Sequence, residues 1–385
     1  MQHHYQSLQE IDRIRDHALL HLEQAREQGS KIVGIYCIFA PGELIRAAGC
    51  IPVGLCGKKE DPIPEAETVL PANLCPLIKS SYGYAATDTC PYFAQADMVL
   101  GESTCDGKIK MFELLNEIKH CRILHLPPTS RTDSGLRYWY REILKLKDFL
   151  EDWTGQRISH TAVRREISRS NRIGRTLWEI GGTCQWDHPP LSGSEMMRIF
   201  EANSSTPYPE SLRYYADRLL QEVASRRRST NGTASRPRIL LTGSPVGSGS
   251  DKVLQLLEQL GAQAVALENC TGLKSLYRNI REDCSDPLHA LAERYLQTPC
   301  PCMTPNANRF NFIRDLVRQF RIQGVVDLSW QSCQPYSVES STLSRMIRER
   351  LNLSYLHLET DYSNSDTEQL RTRLQAFLEL IEDNA

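Results

Sequence analysis

The chain has 385 residues, a length that suits two domains of ordinary size better than one small core. Hydrophobic residues make up 41% and charged residues 24%, and 45 basic side chains against 47 acidic ones leave no global field favouring nucleic acid or an anionic membrane surface. No apolar run approaches the roughly 20 residues needed to cross a bilayer, so a cytoplasmic protein is expected.

In chain order, residues 1–30 are polar with helical periodicity. KIVGIYC, IPVGLC, ADMVLGE and RILHLP then read as buried strands. GELIRAAG, PLIKSSYGYAA and KIKMFELLNEIK alternate with them as helices. Residues 1–150 therefore form an N-terminal helix and a first α/β domain. Residues 151–235 are rich in helix formers and arginine, and SRRRSTNGTASRPR reads as a polar linker. Within it Arg226 to Arg228 are read as a solvated charge run rather than a binding patch. From 236 to 385 the alternation returns: PRILLTGS, AQAVALENC, GVVDLSW and LSYLHLET as strands, DKVLQLLEQLG, RFNFIRDLVRQFR and STLSRMIRERL as helices. The predicted fold is α/β, two parallel-sheet domains with an intervening helical segment.

Thirteen cysteines are too many for a chain with this much core to need as staples, and with no secretory signal they are expected as thiols. Ligands of parallel sheets bind beyond the carboxyl ends of the strands. Cys37, Cys56, Cys105, Cys270 and Cys333 all fall there. Cys75 stands before a helix with proline at its first position, where terminal N–H groups favour a thiolate. Cys300 and Cys302 share a proline-rich loop. Cys90 and Cys121 precede strands and are expected at the opposite edge, and Cys50, Cys184 and Cys284 lie in or beside helices as inert thiols. Soft thiolates select zinc, copper(I) or iron–sulfur clusters. Structural zinc usually recruits tight CxxC pairs, which are absent, so ligands scattered over several strand ends suit an iron–sulfur cluster assembled by the finished fold. The competing reading is that most of these thiols simply pack.

GSPVGSGSDK, from Gly243, lacks the Gly-Lys-Ser/Thr ending of a Walker loop and the third glycine of a dinucleotide fingerprint. It reads as a glycine-rich strand-to-helix turn, with an anion or substrate site as the alternative. Glu43 begins a helix after Cys37 and is placed as a catalytic proton donor, although acidic residues favour first turns anyway. Glu102, Asp106 and Glu268 flank cysteines and are equally suited to capping.

ANLCPLIKSSYG, ESTCDGKIKMFE, LENCTGLKSL, PCPCMTPN and SWQSCQPYSVE, with YCIFAPGELIRAAGCIPVGLCG, resemble the 2-hydroxyacyl-CoA dehydratase and benzoyl-CoA reductase superfamily, and within it the double-cubane-cluster reductase branch. The resemblance implies two flavodoxin-like domains with an iron–sulfur centre between them. It implies Cys75, Cys105 and Cys333 as ligands of one 4Fe–4S cubane. In the double-cubane branch, an 8Fe–9S centre needs three more, assigned to Cys270, Cys300 and Cys302, with Cys37 and Cys56 as alternates. It further implies a homodimer reducing a small molecule, with electrons from a separate ATP-hydrolysing reductase that carries its own 4Fe–4S cluster. A single-cubane dehydratase subunit, a lyase, is the alternative.

Overall fold

The computed structural model describes residues 5–226 and 236–383. Its first sheet contains β1 (Ile32–Ile35), β2 (Ile51–Gly54), β3 (Met98–Glu102) and β4 (Cys121–Leu124) in the order β2-β1-β3-β4, all parallel. The second contains β5 (Arg238–Gly243), β6 (Gln263–Glu268), β7 (Gly324–Trp330) and β8 (Ser354–Thr360) in the order β6-β5-β7-β8, again parallel. The two sheets thus share one topology, the flavodoxin-like order in which strand succession reverses beside the first strand and leaves a crevice at the carboxyl ends. Every residue of β3, β5 and β7 is buried, which is why these strands read as nearly continuous apolar runs.

Four helices, Asp133–Thr154, His160–Gly182, Gly193–Ser205 and Pro209–Arg226, join the two sheets. The first runs through position 150 without a break. Gln6–Asp16 packs on Pro209–Arg226 rather than on the first sheet, with the Glu222 carboxylate accepting the Ser7 N–H at 3.2 Å. Arg226 lays its guanidinium over the Tyr5 ring at 4.7 Å, while Arg227, Arg228 and the linker through 235 lie outside the described residues.

The chain also crosses between lobes after β6. The Pro287–Leu296 helix packs against Asp133–Thr154, and its Leu288, Leu291 and Leu296 share a core with Val33, Trp139 and Ile143 of the first lobe. Burial of each such leucine is worth about 1.5–3 kcal/mol. The Tyr140 hydroxyl donates to Asp286 at the start of that helix. The loop carrying Cys300 and Cys302 is thereby anchored to the lobe opposite the one its sequence position implies.

Candidate functional site

The carboxyl ends of both sheets open on one crevice of about 1790 Å³. It is lined by Cys37, Cys56, Cys75, Cys105, Cys270, Cys300, Cys302 and Cys333, all free thiols.

Cys75, Cys105 and Cys333 share a local device: each is the N-cap of a helix, of Pro76–Ala86, Asp106–Ile118 and Gln334–Arg345 respectively. Three helix N-termini, with their unpaired N–H groups and positive dipole ends, are aimed at the three sulfurs. Only the first is expected from the sequence, through Pro76; Pro335 at the second position of the Gln334–Arg345 helix is the same kind of signal and was missed. At Cys333 the turn is set by Ser332, held in the left-handed region at φ 61°, and by the Cys333 N–H donating to the Trp330 carbonyl at 2.9 Å. The Cys333 thiol hydrogen-bonds to Cys75, and this bond with the Leu77 and Ile78 N–H groups holds the Cys75 thiol below its usual range despite burial. The same bond pushes Cys333 up, since it retains the proton. Burial raises Cys105, partly offset by the backbone N–H and ammonium of Lys108.

A second group gathers in the same crevice. Cys302 donates to Cys300, which lowers the Cys300 thiol to about 7 and raises Cys302. Cys270, just past β6, is pushed up to about 12 by burial and faces Cys300 and Cys56. Cys37, just past β1, is raised by burial and faces Cys270 and Cys300. Cys56 lies between the groups: Tyr362 has Cys56, Cys75 and Cys333 as neighbours. The loop after Cys56 is fixed on the Pro76–Ala86 helix, because a Cβ at Gly57 would stand 2.3 Å from the Ser81 nitrogen.

Among the described residues, no three His, Cys, Asp or Glu side chains converge tightly enough to hold a single metal ion. An iron–sulfur cubane does not require that geometry: its cysteines bind different iron atoms and stand apart around the core. A set of free thiols from both lobes, divided into two groups on one crevice, fits that cofactor class by the chemistry of its donors.

Two expectations about inert thiols change. Cys50 and Cys90 also border the crevice. Cys90 does not open β3 but caps the short Pro91–Gln95 helix, its sulfur accepting the Phe93 N–H at 3.4 Å. Burial pushes Cys50 up to about 11. Cys121, Cys184 and Cys284 are not in the crevice wall.

The carboxylates separate by role. Glu43, in the Gly42–Ala47 helix, is buried at the crevice wall and accepts the Tyr295 hydroxyl at 2.7 Å. Glu102 is fully buried, and burial raises its carboxyl to about 8 against the pull of Lys108. Asp106 occupies the first turn of its helix. Glu268 belongs to a buried ionic network, 3.1 Å from Lys274 and 3.2 Å from Arg309. The Gly243 turn has its anion already. Gly243, at φ 114° and with no room for a Cβ beside the Leu328 carbonyl, starts a loop in which the Ser248 N–H and hydroxyl donate to Glu201 at 2.9 and 2.6 Å. Lys58 completes that contact at 2.7 Å, so three chain segments meet there.

Comparison with known proteins agrees with this architecture. Residues 37–381 match the family model described as 2-hydroxyglutaryl-CoA dehydratase, D-component. The chain belongs to that family. It is 39% identical to YjiM of Escherichia coli (strain K12), provisionally named a dehydratase subunit, over 95% of this chain and 96% of that protein. It is 21% identical to the (R)-phenyllactyl-CoA dehydratase beta subunit of Clostridium sporogenes, over 96% of each. It is 19% identical to one of the subunits of benzoyl-CoA reductase from Thauera aromatica, over 91% of each. Dehydratase and benzoyl-CoA reductase subunits are therefore both its relatives, as its motifs imply. No helix among the described residues is long and apolar enough to cross a membrane.

Proposed function

We propose that the chain is an iron–sulfur enzyme of the double-cubane reductase type, reducing a small molecule at low potential. The observation that carries this reading is the crevice lined by two groups of free cysteines, more than one cubane needs. Cys75, Cys105 and Cys333 hold the first cubane; Cys270, Cys300 and Cys302 hold the second, with Cys37 adjoining them as a fourth thiol. The bound centre supplies electrons at a potential that reaches about −700 mV in such clusters. The chain's own part is to present thiolates, three of them at helix N-termini, and to hold a proton near them. Glu43, oriented by Tyr295, is the proposed proton donor.

Electrons at that potential must come from an ATP-hydrolysing partner with its own 4Fe–4S cluster, since no nucleotide loop occurs in this sequence and the Gly243 turn is filled by Glu201. A cytoplasmic homodimer is the proposed working form. The second reading, a single-cubane subunit of a 2-hydroxyacyl-CoA dehydratase, is favoured by the names of the relatives. Iron and acid-labile sulfide per chain, measured on anaerobically purified protein, separate the two: about eight irons for the double cubane, about four for the dehydratase. A chain that takes up no iron overturns both.

A further inference from the structure

Three lysines in or behind the crevice wall are balanced by a carboxylate: Lys58 by Glu201 at 2.7 Å, Lys79 by Glu67 at 2.6 Å and Lys274 by Glu268 at 3.1 Å. Lys108 differs. It lies in the first turn of the Asp106–Ile118 helix, is 6% exposed, and makes no ion pair with any carboxylate among the described residues. Its ammonium donates to the Tyr36 carbonyl at 3.3 Å and sits 5.7 Å from the Phe112 ring centre. The groups it faces are Cys37, Glu102, Cys56 and Cys105. Three of these four are thiols of the crevice, drawn from the ends of β1, β2 and β3. An unpaired ammonium is among the most costly groups to bury, and is tolerated where other negative charge compensates it.

We propose that Lys108 is a positioning residue for charge: it balances a polyanionic, thiolate-ligated centre in the crevice and sets its reduction potential. The inference rests on the iron–sulfur reading given above. Taking one electron from an external low-potential reductant adds one negative charge to the centre. A fixed positive charge beside it stabilises the reduced form more than the oxidised form and raises the potential. Lys274 and Arg309 do not act in this way because Glu268, Asp327 and Glu339 already neutralise them.

The test uses the full chain, purified without oxygen, as Lys108→Met, Lys108→Arg and Lys110→Met; Lys110 is on the same helix with its side chain 74% exposed. Iron and sulfide are counted first. The midpoint potential is then read by dithionite titration with electron paramagnetic resonance. Lys108→Met is expected to keep its iron and to lower the reduced-to-oxidised ratio about tenfold at a given ambient potential, a shift of about 59 mV for one electron. Lys108→Arg restores the midpoint and Lys110→Met leaves it unmoved. Full iron with an unmoved midpoint in Lys108→Met overturns the inference, as does an equal shift in Lys110→Met. Should Lys108→Met bind no iron, retention by Lys108→Arg supports the charge role, and loss in both overturns it. Absence of iron from the unmutated protein sinks the preceding functional reading, whereas an unmoved midpoint at full iron sinks only this one.

Discussion

Arg309→Leu tests how the second lobe supports its cysteines. The Arg309 guanidinium is fully buried and faces three carboxylates: Glu268 at 3.2 Å, Asp327 at 3.7 Å, and Glu339. Glu268 and Asp327 are themselves fully buried, and Glu268 lies two residues before Cys270. At an effective dielectric near 20, Coulomb's law gives about 5 kcal/mol for a unit pair at the Glu268 separation. The network relaxes only in part, because Glu268 retains Lys274 and Asp327 retains the Tyr355 hydroxyl at 2.6 Å. A loss of about 3–5 kcal/mol follows, the usual cost of removing one member of a buried ion pair. The sign of its pH dependence is also set. Burial already raises the Asp327 carboxyl in the folded protein, so the folded state binds the proton more tightly than the unfolded state and Asp327 costs stability above the unfolded carboxyl range. Without Arg309 that cost grows, so the deficit is largest near pH 7 and shrinks as the pH falls toward 4. Urea unfolding followed by circular dichroism on the metal-free chain, at pH 7 and pH 5, measures it. A loss below about 1 kcal/mol at pH 7, or one that does not diminish at the lower pH, would refute the assignment.

Cys75→Ser is expected to lower iron per chain by about half or more, and, because Cys75 is buried in the core cluster, to cost the metal-free fold about 1–3 kcal/mol for the buried hydroxyl; iron assay and urea midpoint report the two separately. Cys37→Ser and Cys302→Ser, compared by iron count, decide which thiol completes the second group: the variant that loses iron names the ligand. In metal-free protein the Cys300 thiol sits at about 7, so its alkylation by iodoacetamide rises from pH 5, is half-maximal near pH 7 and levels off above about pH 8. Cys184, at about 12, stays unmodified over that span, and an equal response of the two would contradict the Cys302 hydrogen bond. Glu43→Gln should retain iron and lower turnover on a reducible model substrate by about 10²–10⁴-fold, while unchanged turnover removes it as the proton donor.

The central strands were legible because both of their faces are covered, and burial turns a strand into an apolar run with no competing period. β1, β3, β5 and β7 all fall inside the runs read from the sequence. The placement of Cys37, Cys56, Cys105, Cys270 and Cys333 near strand carboxyl ends followed from that reading, since a thiol just past a run can lie nowhere else. What the linear pattern does not hold is partnership between distant segments. The Pro287–Leu296 helix is amphipathic wherever it packs, and its leucines find Trp139 and Ile143 of the first lobe only because the chain crosses back after β6. The cap at Cys105 was hidden because cysteine is not a usual capping residue. That Cys37 stands with Cys270 and Cys300, that buried Lys108 has no carboxylate within ion-pair distance among the described residues, and that Glu201 fills the Gly243 turn were decided by tertiary structure alone. Hydrophobic periodicity records which face of an element is buried; the identity of the side chains it meets depends on packing between elements far apart in the chain.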